Sequence, residues 1–223
     1  MYPKFLLRTA LAVAISTSLF SAHSASAVPM VENESVAISN QDMKSLRDKL
    51  NTLEYFSASF VQTIYDEDGD VLQNAEGDIA VTKPNKVNWH TKVPDETQII
   101  SDGETLWFYD PFVEQATAFN VEDSIANTPI LLITNNDASV WQNFSVSQTN
   151  EGVFSVQSNE PNSRVKKLVI AFDEHGLIQR FEIVDSTGQT SKIILVNVNV
   201  TTQPSVERFH FKLPDGVALD DQR

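Results

Sequence analysis

The chain has 223 residues, no cysteine and a formal net charge of −14 at pH 7. Without cysteine there are no disulfides, thiolate metal sites, cysteine nucleophile or lipid-modified N-terminal cysteine. The acidity repels phosphate backbones and anionic membrane surfaces, so nucleic acid is excluded as a partner, and its plain consequence is solubility.

The first residues read as a secretory signal peptide. Lys4 and Arg8 give a positive start, an apolar run extends from Thr9 to Phe20, and Ala25-Ser26-Ala27 is a small-residue exit. The run is too short and too rich in Ser and Thr for a membrane span, and no later stretch approaches the roughly 18 apolar residues a span requires. Cleavage after Ala27 is expected, and residues 28–223 are expected to form a single domain around its own core. Removing the leader takes away Lys4 and Arg8 and no carboxylate, so the mature chain is still more acidic.

Residues 28–40 are polar and without period, and read as a loose leader. Ser39 followed by Asp42 suggests a helix start, and Met43, Leu46, Leu50 and Leu53 then recur at helical spacing. This predicts one amphipathic helix that must lie on a surface. Period-two segments take over at 60–65, 78–82, 87–91, 97–101, 105–109 and 115–119. They resume at 144–148, 153–158, 168–173, 177–185, 191–200 and 209–213. Turn signals such as Asp102-Gly103, Glu174-His175-Gly176 and Ser186-Thr187-Gly188 separate them. Short strands with short connections predict an antiparallel meander curled into a barrel or strongly curved sheet. The interruption reads as helical over 123–126 and again from Pro129 to Ile133, with Thr128 as N-cap. A short helix of that composition is apolar on most sides and must be covered on most sides. Two strands are apolar on both faces, with Leu106 and Phe108 against Trp107 and Tyr109, and Ile193 and Leu195 against Ile194, Val196 and Val198. They are either sandwiched between core and helices or line an apolar cavity, and periodicity does not separate the two.

Residue patterns that carry catalysis are missing. The turn Asp66 to Asp70 starts like a calcium loop, but positions six and twelve hold Val71 and Gly77. His90, His175 and His210 form no ligand pair, and there is neither a GxSxG elbow nor a glycine-rich phosphate loop. No metal, no cofactor and no enzymatic activity are expected.

The run from Asn88-Trp89-His90 through Pro94-Asp95-Glu96, Ile100-Ser101-Asp102-Gly103 and Thr105 to Thr117 closely resembles the LolA family. So do Asn127-Thr128-Pro129, Pro214-Asp215-Gly216-Val217 and Asp220-Asp221-Gln222-Arg223. These are the periplasmic outer-membrane lipoprotein carriers of Gram-negative bacteria. The resemblance implies an unclosed β-barrel capped by an N-terminal helix and short central helices over an apolar cavity. It implies triacylated lipoproteins as cargo, an inner-membrane ATP-driven ABC exporter as donor and an outer-membrane acceptor lipoprotein as recipient. The implied carrier is a periplasmic monomer. The acceptor shares the fold but carries a lipidated cysteine, so this chain resembles the shuttle.

In the family an arginine ahead of Pro-Asn latches the lid by hydrogen bonds to backbone carbonyls. Here Lys83 precedes Pro84-Asn85, and a flexible ammonium replaces a planar fork. Carried over by position, Ile130 and Ile133 belong to the lid, Phe181 to the cavity wall and Val87 to the mouth. Trp89 is grouped with them, and Leu50 and Leu53 are the first helix's lid contacts. The bland reading of each is core packing, and of Lys83 a solvated strand-end cation. The carrier reading makes physical sense. At about 0.8 kcal/mol per methylene, one chain of about sixteen carbons carries roughly ten kcal/mol of transfer energy. An apolar cavity must offset that, and a lid that closes favourably when empty must let the cargo go again. Two other classes remain. One is a periplasmic stress sensor of related fold, although such sensors usually carry a second domain. The other is a lipid-acting enzyme, for which no residue is nominated.

Overall fold

The computed structural model describes residues 31–135 and 137–223. The signal peptide expected over 1–27 lies outside the described residues. Helix α1 spans Val31–Asn51. It therefore runs through the expected start at Ser39 and takes in much of the segment read as a loose leader. Leu46 and Leu50 lie buried on one side of it, and Leu53 follows just beyond its end.

A first meander then rises through β1 (Tyr55–Tyr65), β2 (Val71–Thr82), β3 (Lys86–Val93), β4 (Thr97–Asp102), β5 (Thr105–Asp110) and β6 (Gln115–Asn120). Short helices follow: α2 (Val121–Ser124), a 3-10 turn (Ile125–Asn127), α3 (Pro129–Thr134) and α4 (Ala138–Trp141). The second meander is β7 (Phe144–Asn150), β8 (Val153–Ser158), β9 (Val165–Phe172), β10 (Ile178–Asp185) and β11 (Thr190–Asn199). Strand β11 returns to pair with β1, so the sheet runs β12-β6-β5-β4-β3-β2-β1-β11-β10-β9-β8-β7, with β12 at Ala218–Asp221. It is a twelve-stranded sheet with two edges, an unclosed barrel. Its curl shows in the core. Leu106 of β5 and Phe144 of β7, far apart in strand order, belong to one buried cluster. Alternation decides which side chains enter it: Phe56, Ala58 and Phe60 of β1 are buried, with Ser57 and Ser59 between them on the other face.

The C-terminus departs from the sequence reading. Residues 209–213 are not a strand. A 3-10 turn at Val206–Phe209 leads into an irregular stretch, and β12 then pairs parallel to β6. The reason is where the aromatics go. Asn88 Nδ2 donates to the Arg208 carbonyl at 2.7 Å, and the Phe211 ring stacks 5.0 Å from Trp107 and 5.3 Å from Tyr109. This segment covers the convex face of β3–β6, so its apolar residues cap a sheet instead of extending one. Strand β5 is accordingly covered on both faces, by the concave core beneath Leu106 and by this strap over Trp107. On β11 the pattern differs: Ile193 and Leu195 enter the core, while Ile194 and Val196 are exposed on the convex side.

Candidate functional site: the concave face and its lid

Helix α3 decides the character of the concave face. From Ile130 to Thr134 five consecutive residues are buried, so the helix lies inside the curl of the sheet rather than on it. Pro129 takes the first helical position, as expected. Thr128 stands at the N-cap, but its side chain makes no capping bond. Its carbonyl instead accepts from Leu131 N and Leu132 N. Helix α4 escaped the sequence reading, although its signal was available: Asp137 Oδ1 caps it by accepting from Ser139 N at 2.8 Å.

The expected lid and wall residues come together. Leu50, Leu53, Val87, Ile130, Ile133 and Phe181 belong to one buried cluster, and Trp89 packs against its margin. Phe181 projects from β10 in the row Ile170–Phe181–Ile193. Trp89 lies 4.5 Å from Phe60. Helix α3 itself occupies the concave space of the sheet.

Lys83 sits in the turn between β2 and β3, half-buried. Its Nζ donates to the carbonyl of Leu50 in the last turn of α1 at 2.6 Å, and its backbone N–H donates to Glu54 O at 2.9 Å. A cation satisfying a C-terminal helix carbonyl also suits the helix dipole. Burial pushes the ammonium down to about 8, with the Glu54 carboxylate pulling the other way.

Sequence reasoning missed the second half of the same turn. Asn85 adopts a left-handed backbone, φ 56°, a region asparagine tolerates. Its carbonyl accepts from Ser101 Oγ at 2.5 Å, and its Oδ1 accepts from Asn135 Nδ2 at 3.2 Å. Asn135 ends α3 and is 9 % exposed; its carbonyl accepts from the indole of Trp141 at 3.4 Å. One tight turn thus holds α1 through Lys83 and α3 through Asn85. The signal was the asparagine following Pro84, a residue type that suits a turn with positive φ.

At the opposite end of β4–β6 the concave face is uncovered. A trough of about 390 Å³ is lined there by Ile99, Phe108, Val113 and Thr117 among others. Among the described residues no group of His, Asp and Glu is placed to hold a metal ion.

The family model described as outer membrane lipoprotein carrier protein LolA matches residues 51–212. An outer-membrane lipoprotein carrier protein from Aeromonas salmonicida is 42% identical over 179 residues, covering 80% of this chain and 88% of that protein. One from Photorhabdus laumondii is 41% identical over 191 residues, covering 86% and 93%. Among solved structures, a LolA superfamily protein from Nitrosomonas europaea superposes with a TM-score of 0.45 at 10% identity, covering 76% of this chain and 98% of its own.

Proposed function

The chain belongs to the LolA family of outer membrane lipoprotein carrier proteins, and from that premise we propose that it carries lipoproteins across the periplasm. In this reading residues 1–27 are a cleaved signal peptide and 28–223 are the carrier domain. Triacylated lipoproteins reach it from an inner-membrane ATP-driven ABC exporter. It shields their acyl chains on the concave face and passes them to an outer-membrane acceptor lipoprotein. It works as a monomer and performs transfer, not catalysis.

The observation that carries the reading is the seating of α3. Five consecutive buried residues of a helix of six fill the concave face of a sheet that never closes. A helix so placed covers the apolar surface while the protein is empty and must leave it when acyl chains enter. Displacing it takes back part of the roughly ten kcal/mol that one long chain gains on burial. Affinity is thereby tempered enough for hand-off without a nucleotide. Lys83, with Leu50, Leu53, Ile130 and Ile133, forms the latch and lid; Val87, Trp89 and Phe181 form the wall the lid uncovers.

The test is delivery. Purified mature protein is incubated with membranes holding the exporter and labelled lipoprotein, and ATP is added. A soluble one-to-one complex, transferable to membranes bearing the acceptor, is expected. Release no greater than a buffer control, with a known carrier working in parallel, would sink the reading.

A further inference from the structure

The trough at the far end of β4–β6 lies outside the lid. Register places Trp89, Ile99, Phe108 and Thr117 in one row across β3 to β6 on the concave face. The start of that row is core: Trp89 and Ile99 pack against the buried cluster beneath the lid. Its end is open: Phe108 is 36 % exposed and Val113 59 % exposed. Phe108 meets Phe119 edge-on at 5.8 Å, which fixes its ring as a wall. The β5–β6 turn above is equally fixed, because Asp110 Oδ1 accepts from Phe112 N at 2.9 Å and Val113 N at 3.2 Å. Phe112, 88 % exposed, stands on that turn.

We propose that this trough is a binding site for a single long alkyl chain of an amphiphile with no net negative charge, accessible while the lid is shut. The proposal rests on the carrier reading for its place in the cycle, as first contact for one acyl chain of the cargo. Several features select the occupant. A volume of about 390 Å³ is near the lower end of the ~300–1,000 Å³ typical of small-ligand sites, which suits one chain and not three. Strands β4, β5 and β6 each have neighbours on both sides, so a peptide finds no free edge to extend. The described lining has one carboxylate, Asp110, and no lysine or arginine, so an anionic head group meets repulsion and no partner. The apolar row is continuous with the surface under α3, so a chain seated at Phe108 points along Ile99 towards the space the lid vacates.

The test uses the full mature protein and palmitoyl lysophosphatidylcholine below its micellar concentration, followed by methyl NMR. Saturable shifts are expected at Ile99 and Val113, with Ile130 and Ile133 unmoved. Thr117→Trp, which fills the floor, should weaken binding about tenfold by displacing methylenes from apolar contact. Val113→Asp, on an exposed turn where folding is not at stake, should do the same. Palmitate should bind more weakly than the zwitterionic probe. Shifts appearing first at Ile130 and Ile133, or affinity unchanged in both variants, would overturn the proposal. Saturable binding in the trough without uptake of lipoprotein from membranes would keep the site and remove the carrier reading. Uptake without trough binding would do the reverse.

Discussion

Asn135, the residue that ends α3, donates its side-chain amide to Oδ1 of Asn85, 50 residues earlier in the chain, at 3.2 Å. Two positions before Asn85, Lys83 donates to the Leu50 carbonyl at 2.6 Å. A single three-residue turn therefore ties down both α1 and α3, each through one side chain.

Lys83→Leu should leave cargo uptake intact and impair transfer to the acceptor. The closed, empty state loses its bond to α1, so the loaded state becomes relatively more favourable and release is penalised. Asn135→Ala should act in the same direction through α3, at a cost of about 1–2 kcal/mol to the closed state, because it removes both the bond to Asn85 and the one its Oδ1 accepts from Asp137 N. Lys83→Arg retains a donor for the Leu50 carbonyl and should transfer normally. The measurement is the fraction of bound lipoprotein delivered to acceptor-bearing liposomes. Normal delivery by both Lys83→Leu and Asn135→Ala would remove the latch role.

The Lys83 ammonium, held down at about 8 by burial, makes the closed fold pH-dependent. Above that value the folded protein has released a proton that the unfolded chain still keeps up to 10.5. Below about 8 the charged side chain therefore supports the fold less than its neutral form would, and that shortfall fades as pH rises from about 8 towards 10.5. The slope is at most about 1.4 kcal/mol per pH unit, and less because the group is only half-buried. Urea midpoints of the wild type and Lys83→Met should converge or cross over this window. A Lys83 titration midpoint near 10 by NMR would contradict the burial argument.

Much of this architecture was legible in the sequence, because period-two runs and turn residues report strands locally. The segment at 153–158 coincides with β8, and the apolar run after Pro129 is α3. What stayed illegible is decided by distant parts of the chain. Phe209 and Phe211 alternate like a strand, yet Phe211 meets Trp107 and Tyr109 across a sheet face, which periodicity cannot reveal. The Lys83 position came from resemblance alone, while Asn85 and Asn135 join only when the fold brings them together. The open trough was invisible because Ile99 and Phe108 have the same pattern as covered neighbours.

Gly77→Ala should destabilise the protein by about 1–3 kcal/mol. A Cβ there would fall 2.0 Å from the His90 carbonyl oxygen and 2.7 Å from the Phe60 ring. The ladder between β2 and β3 already shifts register at Glu76/Gly77, and nothing nearby can yield cheaply. Displacing Phe60 also disturbs Trp89, so a changed tryptophan emission spectrum should accompany the lowered thermal midpoint. Wild-type stability in this variant would mean the close approach is relieved at no cost.

Asp42 protects the free edge of β7. Its Oδ2 accepts from the backbone N–H of Gln148 at 2.8 Å, which lays α1 along a strand that has no strand neighbour on that side among the described residues. Asp42→Ala should speed hydrogen exchange at Gln148 by about tenfold, the equivalent of losing one charge-assisted bond, and leave β1 and β2 amides protected. Unaltered exchange at Gln148 would show that the carboxylate does not guard the edge.

Removing residues 214–223 deletes β12, whose parallel pairing from Ala218 to Asp221 covers β6 from Gln115 to Ala118. Ala116 and Ala118, fully buried in the intact chain, would then border an exposed strand edge. Loss of Arg223 also strips the cation lying 5.4 Å over Trp107. The concave core and lid are untouched by this deletion, so the shortened protein should fold but self-associate through β6 as its concentration rises. Static light scattering over a dilution series distinguishes the outcomes. A monomer at all concentrations would mean that β6 is shielded without β12, by the Phe209–Phe211 stretch alone.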